Sequence, residues 1–96
     1  MYQAHPYRCA PWILCAEPLA CLDQLDGIEV HNAGNHPQWN EQAQKLADER
    51  GLSCTAGSDG HGTDTAGRSG IATRERIRTN EELVRTLKSG DYTVIR

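Results

Sequence analysis

Phenylalanine is absent from the chain, whose aromatic residues are two tryptophans and three tyrosines. With 38% hydrophobic residues over 96 positions, this is thin material for a self-sufficient core, though it is not the composition of a disordered chain. A chain of this length holds one small domain and buries only about 60–65% of the surface its unfolded form exposes. No apolar stretch approaches the roughly eighteen residues that cross a bilayer, so no membrane partner is expected. Met1 to Pro6 lacks a charged region followed by an apolar one, and no secretory leader is expected there. Lysine is scarce: Lys45 and Lys88 stand far apart, the net charge is -3, and the arginines from Arg68 to Arg85 are interleaved with acids and polar residues. That pattern gives no electrostatic footprint for nucleic acid but is compatible with a local phosphate pocket. Cys9, Cys15, Cys21 and Cys54 contain no Cys-x-x-Cys pair, which argues against a zinc knot. Without a secretion signal, disulfides are not expected either, and free thiols in a cytoplasmic protein are the favoured reading.

What is present alternates regularly. Met1 to Ala4 reads as the end of a strand stopped by His5-Pro6, with proline biasing His5 towards an extended backbone. A loop over 7–16 and a short helix from Glu17 to Leu25 follow, with Pro18 in the first turn. Gly27 to His31 places β-branched residues at alternate positions, the pattern of a strand, and Asn32 to Asn35 is a polar loop. From Pro37 to Arg50 the spacing of Trp39, Ala43, Leu46 and Ala47 predicts a helix with one apolar face, stopped by Gly51. Short strands are expected over Leu52 to Ala56 and Gly70 to Thr73. Thr79 and Glu82 form a capping box for a helix whose face carries Leu83, Val84 and Leu87, ended by Gly90 before a last strand, Tyr92 to Ile95. Strand and helix in alternation predict an α/β fold with mainly parallel strands and right-handed crossovers.

The chemistry-bearing residues gather at strand ends. His5 follows the first strand, Glu29 and His31 close the second, and Asp59 and His61 follow the third, so all are expected at one carboxyl edge of a parallel sheet. In Gly57-Ser58-Asp59-Gly60-His61-Gly62 an extended backbone would send Asp59 and His61 to the same side. A carboxylate beside an imidazole suits zinc, manganese or iron. Taken alone the segment reads as a glycine-rich polar turn; His5 at another strand end tips the reading towards metal. Glu29 and His31 share a strand face by the same period and are expected to orient ligands. Arg8 and Arg68 are candidates to grip phosphate oxygens, although surface positions are the plainer reading for each. His36, before Pro37, is expected to be structural. No Gly-x-Ser-x-Gly elbow is present, which makes a side-chain nucleophile the weaker class.

Ala4-His5-Pro6-Tyr7-Arg8, Asp26 to Asn32, Ala56 to His61, Ala66-Gly67-Arg68 and the ending from Glu81 to Tyr92, in that order, resemble the C-terminal part of the polymerase-and-histidinol-phosphatase (PHP) family. The resemblance implies a portion of a distorted (β/α)7 barrel spanning residues 1–96, with divalent ions (zinc, manganese, iron or magnesium) at the strand ends. It implies hydrolysis of a phosphorylated small molecule or nucleotide by a metal-activated hydroxide. Carried over, His5, Asp59 and His61 match metal ligands, Asp59 also orients the hydroxide, and Arg8 and Arg68 match phosphate-facing positions. The family's opening His-x-His motif, middle histidines and bridging glutamate have no counterpart here. The expectation is therefore a fragment that is inactive alone, either completed by a missing N-terminal half or self-associating through the edge strand near Ala4. The alternative expectation is a non-catalytic PHP-like accessory or interaction domain.

Overall fold

The computed structural model describes residues 2–8 and 24–96. Strands β1 (Tyr2–Gln3), β2 (Gly27–Asn32) and β3 (Ser53–Gly57) lie side by side in that order, and both pairings are parallel. Helix α1 (Pro37–Arg50) forms the crossover from β2 to β3. The remaining elements are β4 (Gly70–Thr73), α2 (Asn80–Ser89) and β5 (Tyr92–Ile95). The expected helix from Glu17 to Leu25, most of the preceding loop, and Cys9, Cys15 and Cys21 fall largely outside the described residues; Cys54 is a free thiol.

The core is a β2–α1 sandwich. Ile28 and Val30, alternate residues of β2, are fully buried against Ala43, Leu46 and Ala47 of α1. Pro37 opens α1, where its missing N–H leaves no bond unmade, and Gly51 closes it at φ 65°, donating its N–H to Ala47 O. Trp39, expected on the buried face, instead meets the His36 ring edge-on at 4.8 Å, while Asn40 takes a place in the buried stripe.

The second half departs from the expected parallel arrangement. β4 and β5 form a separate two-stranded antiparallel sheet. A parallel return requires the crossover helix to pack on its sheet, and α2 buries none of its residues, with Val84 49% exposed. The chain therefore turns back on itself. Thr79 caps α2 as expected, its Oγ1 accepting from Glu82 N at 3.1 Å, but the Glu82 carboxylate accepts from Arg78 N rather than from Thr79. Tyr92 joins the two sheets by donating its hydroxyl to Cys54 O at 2.7 Å. The class is α/β with mixed parallel and antiparallel pairing, and the sheets do not close into a barrel among the described residues. No helix among the described residues is long and apolar enough to cross a membrane.

Candidate functional site

Three parallel neighbours in the order β1, β2, β3 put their carboxyl ends on one edge, and the hydrogen bonds there tie the following segments together. The backbone N–H of His5 donates to Glu29 Oε2 at 2.8 Å, and the Asn32 amide donates to the same oxygen at 3.0 Å. Arg8 reaches across the edge. Its Nε donates to Asn35 Oδ1 at 2.8 Å, its Nη2 to Asn32 Oδ1 at 3.0 Å, and its Nη1 to Asp59 Oδ2 in a short charged contact. The Arg8 hydrogen bond is the main reason the Asp59 carboxyl is held below the usual carboxylate range; the Arg8 and His5 charges and the Asn32 amide add to it, and desolvation opposes it.

Backbone geometry marks the same two residues. Among the described residues, His5 (φ 24°) and Asp59 (φ 49°) are the non-glycine positions with positive φ. The extended conformation expected for His5 before proline is not adopted. Its N–H is drawn to Glu29 and its carbonyl accepts from Arg8 N at 3.1 Å, which bends the chain into a turn. Asp59 likewise lies beyond the end of β3, so no two-residue strand period relates it to His61. Both nonetheless line one cleft of about 280 Å³, together with Gly34, Ser58, Thr65 and Arg68. His61 Nδ1 lies 3.1 Å from Asp59 O, and Arg68 donates its Nε to Asp64 O. A Cβ at Gly57 would stand 2.7 Å from Glu29 Oε1, so a side chain there would push the Glu29 carboxylate aside.

Glu29 and His31, expected on one face, part company. The β2–β3 register slips between them, from Glu29↔Thr55 to His31↔Ala56, and such a slip re-aims the side chains that follow it. Glu29 stays with His5 and Asn32, whereas the His31 ring sits 3.5 Å from the Asn40 amide and lines a different cleft, about 660 Å³, along α1 with Gln44, Lys45 and Arg96. Desolvation, then the Arg96 charge, pushes the His31 pKa down, with Glu29 opposing.

Asparagines organise the edge, and the sequence reading missed them. Asn32 is 1% exposed; its side chain accepts from Arg8 and Gly34 N, while its backbone N–H and C=O both bond the Asn40 side chain, at 3.0 and 3.1 Å. The Asn40 carbonyl also accepts from Asn35 Nδ2 at 3.1 Å. The signal was available: Asn40 shares a helical stripe with Ala43 and Ala47, and an asparagine buried on such a stripe needs partners.

His5 and Asp59 are close enough for their charges to interact, and His61 shares the cleft of Asp59. However, one Asp59 oxygen is taken by Arg8, and no group of three or more His, Cys, Asp or Glu side chains among the described residues could hold a metal ion. A catalytic site usually has three protein ligands. Among the described residues, the side chains present do not by themselves make up the ligand set of a resident metal.

A family model described as PHP-associated (PHP_C) matches residues 37–92, more than half of the chain. The chain belongs to the PHP-associated family. No curated protein and no solved structure gives a significant match. The PHP-associated segment runs from α1 to the first residue of β5 and includes Asp59, His61 and Arg68, while His5 and Arg8 precede it. Membership agrees with a place in the PHP superfamily and does not by itself assign a catalytic role.

Proposed function

We propose that this chain is part of a PHP domain and supplies one edge of a phosphoesterase site, and that it does not hydrolyse phosphoesters alone. On this reading residues 1–96 are a C-terminal portion of a (β/α)7 barrel. His5, Asp59 and His61 are its share of the ligands for divalent ions, Glu29 steadies the His5 turn, and Arg68 faces the phosphoryl group of a small molecule or nucleotide. Arg8, with its Nε, Nη1 and Nη2 already bonded to protein acceptors, is better placed to set Asp59 than to grip substrate. The observation that carries the reading is the meeting of the segments after β1, β2 and β3 around Asp59, without a complete set of metal ligands among the described residues. Metal analysis of the purified chain and a phosphatase assay with a generic phosphomonoester test it. Substoichiometric metal and no turnover are expected; a tightly held ion with measurable hydrolysis would reject the claim of inactivity alone.

A second reading has its own support. The matching family is described as PHP-associated, and the matched segment excludes β1 and the segment after it that carries His5 and Arg8. A non-catalytic accessory domain would use the same fold with Asp59 as a structural carboxylate. Asp59→Asn would then leave partner binding unchanged while lowering stability.

A further inference from the structure

The mismatch between the donor set and a metal ion points to a role for Arg8. We infer that the Arg8 guanidinium is the built-in counter-ion of Asp59, standing in for a metal's positive charge, and that a divalent cation gains Asp59 only by displacing it. The inference rests on the reading of Asp59 as a ligand.

Geometry carries the argument. An ion pair between partners as exposed as these, 19% for the Arg8 side chain and 29% for Asp59, adds little to stability when its side chains are free to move. Here the fork is not free. Asn32 and Asn35 accept from two of its nitrogens, at 3.0 and 2.8 Å, and both asparagines are fixed in turn by Asn40 from inside the β2–α1 core. The guanidinium is thus held in place whether or not Asp59 is charged, and its remaining nitrogen is aimed at the carboxylate. Asp59, at a left-handed φ of 49°, is turned to the same point while its neighbour His61 opens onto the cleft. A second cation next to Asp59 would face a fixed positive charge at short range, so binding requires that Arg8 swing away or that further ligands outweigh it. Released from Asp59, Arg8 would keep its planar set of donors for an anion.

Titration calorimetry with zinc alone and with manganese alone tests this on the wild-type chain, Arg8→Gln, Asp59→Asn and the double variant. Circular dichroism verifies the fold of each, and thermal melts are run with and without chelator. The wild-type midpoint is expected to ignore the chelator. Removing a neighbouring like charge changes the affinity of a site for a proton by about tenfold or more, and Arg8→Gln is expected to gain at least about tenfold in cation affinity, the gain vanishing with Asp59→Asn. Equal or weaker binding by Arg8→Gln overturns the inference. If wild type and Arg8→Gln bind equally through Asp59, the ligand reading survives and the counter-ion role falls; if no variant binds a cation, both fall. Should Arg8→Gln fail to fold, Asn35→Ala keeps the charge but loosens the fork. A smaller gain in the same direction is expected from it, and no gain overturns the inference equally.

Discussion

At Asp59 one carboxylate is set by three different segments of chain, and its ionisation should be readable in stability. Its pKa is lowered in the fold, mainly through the Arg8 hydrogen bond. The unfolded chain therefore takes up this proton first as acid is added. The contribution is present above the ordinary value of about 3.9 and is lost as pH falls through the lower folded value. Asp59→Asn is thus expected to melt below wild type near neutral pH, with the difference shrinking in strong acid. Melts across that range check it, and a constant difference would mean that Arg8 is not its source. His31 gives a second window. Burial and the Arg96 charge favour its neutral form in the fold, so its contribution is complete above about pH 6.5 and declines as pH drops towards the folded value. His31→Gln should flatten the stability profile in that interval, measured as urea midpoints against pH.

The β2–α1 unit shows how a polar edge can be fixed from a hydrophobic core. Asn40 sits on the buried stripe of α1 yet spans the backbone N–H and C=O of Asn32. Asn40→Ala would leave those groups without their side-chain partner and is expected to destabilise by about 1–3 kcal/mol. Denaturant unfolding measures this, and the Arg8 side chain should lose order by NMR as Asn32 and Asn35 loosen. Much of this unit was legible in the sequence. Alternating Ile28 and Val30 fixed the strand, while Pro37 and Gly51 bounded the helix to the residue. The strand-end positions of His5, Glu29 and Asp59 predicted that their segments would meet. The register slip after Glu29 was not legible, because it depends on how β3 pairs, and it moved His31 to the α1 side. The clasp on Arg8 was hidden for the same reason. Its acceptors lie 24, 27 and 51 residues away, beyond any local period. The antiparallel return of β5 also escaped the alternation rule, since that rule assumes a crossover helix with a sheet to cover.

Taken whole, the molecule is a slab of 39 × 35 × 19 Å, thick enough for one helix layer on one sheet layer. Among the described residues the buried hydrophobic core comprises Ile28, Val30, Ala43, Leu46 and Ala47, with α2 outside it. Within this cluster Ile28 is fully buried, so it carries a large share. Ile28→Ala is expected to cost about 2–5 kcal/mol, comparable with the entire stability of a small domain. Loss of a cooperative urea transition would confirm it, and an unchanged midpoint would show that the core lies elsewhere.

The distance along the chain between Arg8 and Asp59 also sets an order of events. Closing a loop of 51 residues is entropically unfavourable before any contact repays it, and contacts of long sequence separation form slowly. During synthesis the guanidinium emerges first, the asparagines that hold it come next, and the carboxylate arrives only after α1 has been made. The last strand end of this three-stranded sheet to be translated meets a counter-charge made before it, so closure of this edge reports that both preceding strands have found their register.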